Sequence, residues 1–329
     1  MKMSRRAAAS TILAMLAAPT SLTAWGAADA WPTRTVRIIA TSPPGGSIDM
    51  LARLVAEECS KTFGQPFVVE NHNGANGTVG ANRVVKAAPE GYDFFVTIPG
   101  VFAINQYLYS NLPFDTAKDI EPVAYLGSAP LVLVVPSAAP PKTFAEFLSW
   151  VRAHPGKFAY SSQGVGNTGH LAMELLKQMA GLDILHVPYK GSAAALNDLL
   201  AGNVQMTLLN APSALPHIQK GTLRALAVSE KKRLASLPDV PTIDEAGVPG
   251  YEVIPWWGLG TRTGVPREII DKMNAAATRA MTRPENQQRL EAASIIFSPK
   301  SPDAFKAFVA EESHKWGAIV KASGAKATD

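Results

Sequence analysis

The sequence predicts an α/β fold arranged as two lobes. Short apolar runs such as VRIIA, DFFVTI and LVLVVP recur along the chain, and loops rich in Gly, Pro, Ser and Asn bound them. Between the runs lie segments in which apolar residues recur every three or four positions, which is the period of a helix. Strands that alternate with helices of this length indicate βαβ units and mainly parallel sheets.

The individual elements follow from this pattern in chain order. The first strand is expected from Val36, and a later strand is expected at 184–187. From Pro266 to Lys321 the chain reads mostly as helix, because apolar residues keep steps of three and four. The helices between the strands are expected at Asp49–Lys61, Gly80–Ala88, Thr143–Ala153, His170–Ala180 and Ala193–Ala201.

Residues 1–30 have the layout of a secretory signal peptide. Basic residues, among them Arg5 and Arg6, precede the apolar run AAASTILAMLAA, and the small residues GAADA come before Trp31. The apolar run is too short to span a bilayer as a mature helix, and the cleavage region holds no cysteine for a lipid anchor. We therefore expect cleavage near Ala30 and a periplasmic product without a direct membrane anchor. Ordinary secretion is favoured over twin-arginine export.

The mature chain is long enough for two lobes. Removing 30 of 329 residues leaves 299, more than one core usually organises. Two proline-containing stretches, 131–142 and 245–258, have the character of crossings between lobes. The expected boundaries are 31–131 plus 253–329 for lobe 1 and 132–252 for lobe 2. A hinge of two crossing strands would let the cleft between the lobes close.

Composition excludes several classes of protein. The single cysteine, Cys59, cannot form an intramolecular disulfide. The net charge is only +4, and no basic run is interleaved with aromatic residues, so nucleic acid is not an expected partner. The six histidines show no H-x-H or H-x-x-x-H spacing, so a metal site is not expected. No cofactor of another kind is expected either.

Two loops share one design, a strand followed by glycines and then a helix. The first is 43–46, PPGG, after which Ser47 is expected to cap a helix; the second is 161–169, SSQGVGNTG. In a parallel sheet both loops emerge at the carboxyl ends of strands, where ligands of open α/β sheets bind. Each presents free amides and the positive end of a helix dipole. The absence of Arg and Lys from both loops favours a small carboxylate over a phosphate.

The stretch from Gly164 to Gly169 also reads as G-x-G-x-x-G, a pattern of dinucleotide-binding turns. That motif needs an acidic residue about 20 positions on, at the end of the next strand. Here that strand ends in Pro188, whereas Asp183 precedes it. An oxidoreductase remains an alternative, which the absence of NAD(P) binding would exclude.

Other catalytic interpretations find little support. Neither Ser47 nor Ser162 lies in a G-x-S-x-G elbow, so both are expected to be caps or ligand donors rather than nucleophiles. His170 is expected either to contact the ligand or to cap the loop. The tandem Trp256 and Trp257 are expected to wall the cleft or to pack near the second crossing. We therefore expect no enzymatic activity.

Long motifs in one order, including PPGGSIDMLARLVA, HVPYKGSAAALNDLLAGNV and GTLRALAVSEKKRLASLPDVPTIDEAG, cover nearly the whole mature chain. In these the sequence resembles the Bug (TctC-like) family of periplasmic solute receptors of tripartite tricarboxylate transporters. The resemblance implies a two-lobed periplasmic-binding-protein fold of type II, the Venus flytrap, without catalysis. It also implies capture of a ligand, often a carboxylate, between the two glycine loops.

The resemblance further implies the ligand contacts, and departures from the family pattern, among them RTGVP at 262–266 in place of Pro-Ala-Gly-Thr-Pro, bear on the ligand's identity. Thr41-Ser42 replaces a Pro-aromatic pair, GANG at 74–77 replaces Gly-Ala-Gly-Gly, and Gln205 replaces a common aspartate. The expected contacts are Ser42, Pro44, Gly45, Gly46, Ser47, Asp49, Gly100, Ala103, Ser161, Ser162, Gly164, Asn167, Thr168, His170 and Asn210.

The expected function is therefore that of an exported, monomeric solute-binding protein that captures a small organic anion. Its expected partners are the membrane subunits of a tripartite tricarboxylate-type transporter. The alternative in another class is a ligand sensor that signals to a membrane receptor kinase. Measuring uptake against gene induction after deletion would distinguish the two.

Overall fold

Two five-stranded sheets, each covered by helices, organise the chain in the computed structural model, which describes residues 31–189 and 191–327. The expected signal peptide lies outside the described residues. The strands are β1 (Val36–Ala40), β2 (Phe67–Asn71), β3 (Asp93–Thr97), β4 (Ile120–Ser128), β5 (Leu131–Pro136), β6 (Ala159–Ser162), β7 (Leu185–Pro188), β8 (Met206–Asn210), β9 (Leu223–Val228) and β10 (Trp256–Arg262). The helices are α1 (Ser47–Phe63), α2 (Thr78–Val85), α3 (Asn105–Leu108), α4 (Thr116–Asp119), α5 (Phe144–Arg152), α6 (Thr168–Ala180), α7 (Ser192–Leu200), α8 (Ala211–Gln219), α9 (Arg267–Thr282), α10 (Pro284–Ala292) and α11 (Pro302–Ser323).

Both sheets are mixed rather than mainly parallel. The first has the order β2-β1-β3-β10-β4 and the second β7-β6-β8-β5-β9. The βαβ units pair in parallel, as the alternation predicts, but β10 runs antiparallel to β3 and β4, and β5 runs antiparallel to β8 and β9. The chain passes from the first sheet into the second through β5 and returns to the first sheet through β10. Because these two strands enter at the edge where the parallel strands end, they run in the opposite direction.

Sequence-based expectations about the end of α2 and the start of α1 need correction. Helix α2 ends at Val85 rather than Ala88, because Ala88 precedes Pro89, and a residue before proline disfavours the helical conformation. At α1 the N-cap is Gly46, and Ser47 is the first helical residue, so the expected serine cap is absent. The first amides of α1 are therefore left without a side-chain cap.

Helix α11 packs against both halves of the fold. It contacts β4 of the first sheet and α6 beside the second. Its Trp316 is fully buried in an apolar cluster that also contains Phe102 of the first half and Leu171 of the second. The two halves are therefore connected by α11 as well as by the two strands that cross between them. None of the described helices is both long enough and apolar enough to cross a membrane.

Candidate functional site

The first glycine loop is held in place by a carboxylate. The Gly45 N–H donates to Asp49 Oδ2 at 3.0 Å, and Asn71 Nδ2 donates to Asp49 Oδ1 at 2.9 Å. Arg53 completes the set with two hydrogen bonds of 3.0 Å to the same carboxylate. These contacts, the Arg53 hydrogen bonds first among them, lower the pKa of Asp49 to about 2. Asp49 thus supports the loop from behind, and Gly46 stays exposed toward the cleft.

The second glycine loop carries the N-terminus of α6. Asn167 is the N-cap, and its Oδ1 accepts from the Gly169 N–H at 2.9 Å. A third helix begins nearby, because β8 ends at Asn210 and α8 starts at the next residue, with Pro212 in its first turn. Three helix N-termini, one from the first half and two from the second, therefore meet at the carboxyl ends of their strands.

A cavity of about 340 Å³ lies between these three N-termini. Among the described residues that line it, none carries a charged side chain. The lining residues are Ser42, Gly45, Gly46, Ser47, Ile48, Ile98, Leu131, Gln163, Asn167, Thr168, Gly169, Leu208, Asn210, Pro212, Ser213, Pro255 and Trp257.

Several polar groups at this cavity have hydrogen-bonding capacity to spare. The first amides of α1, α6 and α8 have no partner within their own helices. The Asn210 Oδ1 atom is buried without a partner. Neutral donors and dipoles directed at one cavity can hold an anion that is smaller than the cavity.

Behind the second loop, two histidines form a stacked pair. The His170 and His186 rings lie 3.9 Å apart at 16°, and His186 stacks on Tyr160 at 4.8 Å. The Gly166 N–H donates to His170 Nδ1 at 3.0 Å, and His186 Nε2 lies 2.6 Å from Ser162 Oγ. Burial first and the neighbouring His170 second lower the pKa of His186 to about 3. Both imidazoles are neutral at pH 7, and they hold the loop rather than face the cavity.

Comparison with known proteins decides the family. Residues 51–325 match the family described as tripartite tricarboxylate transporter family receptor, TctC. The chain belongs to the TctC family. This TctC-family chain is similar to Protein BugT of Bordetella pertussis (strain Tohama I), with 33% identity over 94% of this chain and 94% of that protein.

Solved structures agree with this membership in TctC. The chain is similar to "R. palustris Rpa4515 with adipate", at 37% identity and a TM-score of 0.82 over 89% of this chain and 98% of that chain. It is also similar to MatC (Rpa3494) from Rhodopseudomonas palustris with bound malate, at 33% identity and a TM-score of 0.79 over 88% of this chain and 100% of that chain. The chain has the two-lobed fold of periplasmic solute-binding proteins, and this family and fold are those of binding proteins rather than enzymes.

The TctC fold brings seven of the expected ligand contacts together. The remaining ones take other positions: Ala103 and Gly100 are enclosed by protein, and Ser161 is buried with an unpartnered Oγ. These three offer the cavity no surface, because the core surrounds them. Those that line the cavity are Ser42, Gly45, Gly46, Ser47, Asn167, Thr168 and Asn210. Those that do not are Pro44, Asp49, Gly100, Ala103, Ser161, Ser162, Gly164 and His170.

Sequence reasoning missed part of this TctC-family cavity. Ser213 lies in the first turn of α8, a helix start that the Asn-Ala-Pro sequence at 210–212 signals. Gln163 lies inside the second glycine loop. The apolar wall, which includes Leu131, has no distinguishing pattern in the sequence. Of the two tandem tryptophans, Trp257 lines the cavity.

Acidification should destabilise the protein through His170. Burial first, and the charge of Lys177 second, lower its pKa to about 4; Lys177 is paired with Glu174, which also accepts from Tyr160. Because unfolded histidine titrates near 6.5, the stability contributed by neutral His170 is complete above that pH and is lost as the pH falls toward 4. The expected loss at pH 5 from His170 alone is about 2 kcal/mol. The buried His186 adds a loss of its own, so the difference in urea denaturation between pH 8 and pH 5 must be compared between the parent and a variant without His170.

A matched pair of variants isolates this effect. His170→Gln removes the titrating group and should flatten the pH dependence by about 2 kcal/mol. His314→Gln, at an exposed histidine on α11, should leave it unchanged. An unaltered pH dependence in His170→Gln would contradict the assignment.

Proposed function

We propose that this chain is an exported receptor that captures a small carboxylate between its lobes and delivers it to the membrane subunits of a tripartite tricarboxylate-type transporter. The observation that carries the proposal is the uncharged cavity at which the N-termini of α1, α6 and α8 meet. The receptor acts without catalysis, as a monomer, and reaches the periplasm through the signal peptide at 1–30.

The expected contributions to the binding free energy fit a receptor that binds its ligand reversibly. A helix N-terminus contributes up to about 2 kcal/mol to anion binding in a partly buried site. Hydrogen bonds to a charged group contribute about 1.5–3 kcal/mol each. Micromolar affinity corresponds to roughly 8 kcal/mol, so helix dipoles alone are not enough and several such hydrogen bonds must act together in the closed cleft. Such a ligand can be bound and still be released to a transporter.

The residues that line the cavity narrow the class of ligand that it can bind. Without Arg or Lys in the cavity, a doubly charged phosphate lacks the bidentate partners that usually hold it. The apolar wall, with Ile98, Leu131 and Trp257, suits a short hydrocarbon body. Both features support a small carboxylic acid, in agreement with the adipate and malate of the similar proteins.

Gly46→Val should abolish carboxylate binding and leave the fold intact. Gly46 has an extended backbone (φ −86°, ψ 176°), and no atom lies within 4 Å of a Cβ built on it. A valine is thus accommodated without backbone strain, and its side chain takes up space at the exposed loop that borders the cavity. We expect the parent, screened by thermal shift against C4 to C8 dicarboxylates and monocarboxylates, to gain about 2.7 kcal/mol at 100-fold excess over Kd. Gly46→Val should gain none.

Ala145→Val, at an exposed position of α5 outside the cavity, is the matched control and should keep the full shift. The same screen includes NAD(P), which should not bind. Indifference of the parent to every acid would contradict the proposal, as would binding of NAD(P). Retained binding in Gly46→Val would contradict the placement of the ligand at the first loop.

A further inference from the structure

Asn76, on a short helical turn of lobe 1, reaches across to the ligand loop of lobe 2. Its Nδ2 donates to the Gly166 carbonyl oxygen at 3.4 Å and to Asn105 Oδ1 at 2.9 Å. Asn105 Nδ2 in turn donates to the Asn76 carbonyl at 3.2 Å and to Thr78 Oγ1 at 2.9 Å. Both hydrogens of the Asn76 amide are thus in use, one within its own lobe and one across the cleft.

The backbone of lobe 1 accommodates the Asn76 side chain at two positions. Asn76 has a left-handed backbone (φ 51°, ψ 39°), which asparagine tolerates better than other residues with a Cβ. A Cβ at Gly100 would lie 2.6 Å from Asn76 Nδ2, so the neighbouring loop needs a glycine to accommodate the amide. A glycine at position 76 would adopt the same backbone but would lack the group that reaches lobe 2.

Both lobes hold the backbone of Gly166. Its N–H is held by His170 Nδ1 of its own lobe, and its carbonyl by Asn76. A Cβ on Gly166, which has φ +75°, would lie 1.9 Å from Leu108 Cδ2, so this lobe 1 side chain packs directly on the backbone. The next residue, Asn167, is the N-cap of α6 and lines the cavity. A displacement of Gly166 is therefore transmitted to the ligand donors within one residue.

We propose that Asn76 is a positioning residue for ligand capture. It links lobe 1 to the second ligand loop and so stabilises the arrangement in which the α1 and α6 N-termini share one cavity. The inference rests on the proposed carboxylate-binding function. Asn76 itself does not line the cavity, so its effect on affinity passes through Gly166.

The test compares Asn76→Gly with Thr78→Val. The first keeps the backbone conformation and removes only the amide; the second breaks the same hydrogen-bond cluster inside lobe 1 without touching lobe 2. In Asn76→Gly we expect Kd for the carboxylate that most stabilises the parent to rise about 3- to 10-fold, the equivalent of one hydrogen bond, mainly through faster dissociation. Thr78→Val should leave Kd within about 2-fold of the parent.

A second measurement needs no ligand. Hydrogen exchange of peptides covering 161–169 should accelerate in ligand-free Asn76→Gly and stay at the parental rate in Thr78→Val. Unchanged exchange in Asn76→Gly would overturn the cross-lobe link, whether or not the parent binds a carboxylate. Equal loss of affinity in both variants would reduce Asn76 to a structural residue of lobe 1. Failure of the parent to bind any carboxylate would instead overturn the proposed function.

Discussion

Replacing Glu312 by leucine should lower the free energy of unfolding by about 3–5 kcal/mol. Glu312 is buried on α11, and its Oε2 accepts from Trp256 Nε1 and from Trp316 Nε1, each at 2.9 Å. Hydrogen bonds to a charged group stabilise by about 1.5–3 kcal/mol each. Leucine fills similar space but leaves two buried indole N–H groups without an acceptor. The midpoint of urea denaturation, followed by tryptophan fluorescence, measures the loss.

Two further variants separate the hydrogen bonds from a general effect on α11. Glu312→Gln keeps a carbonyl acceptor without the charge, so its loss should be smaller than that of leucine. Glu311→Leu changes the exposed neighbour on the same helix and should stay within about 0.5 kcal/mol of the parent. Equal stability of Glu312→Leu and the parent would show that the tryptophans do not need this acceptor.

This network illustrates what local sequence pattern can and cannot predict of the fold. The apolar runs and helical periods predict the strands and helices because each depends on neighbours within a few residues. The partner of Glu312 on β10 lies 56 residues away, and only tertiary packing brings it close. The antiparallel direction of β5 and β10 is hidden for the same reason, because it depends on the lobe from which the chain enters.

The candidate site is likewise only partly predictable from the sequence. Glycine loops before helices are visible in the sequence, and Gly46 and Asn167 do line the cavity. Asp49 shares the first loop's motif, yet its carboxylate turns back to Gly45 and Arg53. A motif identifies the loop but does not reveal which side chains face its ligand and which ones hold its backbone.

Asp49→Ala should weaken carboxylate binding at least about 10-fold, although Asp49 does not line the cavity. Without the carboxylate, Gly45 and Asn71 lose a charged acceptor, and each such hydrogen bond stabilises by about 1.5–3 kcal/mol. The loop that carries Gly46 is then no longer held in one conformation. Calorimetric titration with the carboxylate that most stabilises the parent measures the change in Kd.

The same carboxylate has a pH signature that separates support of the loop from direct contact with the ligand. Because the pKa of Asp49 is lowered from its ordinary value of 3.8 to about 2, its stabilisation is complete above about pH 4 and is lost as the pH falls through 2. Asp49→Asn should therefore remove about 2 kcal/mol of ligand-free stability at pH 7. Asp239→Asn, at an exposed aspartate outside the cavity, should change neither stability nor affinity. Loss of affinity in Asp49→Asn with unchanged ligand-free stability would mean that Asp49 acts on the ligand itself, because a residue that only supports the loop must stabilise the empty protein as well.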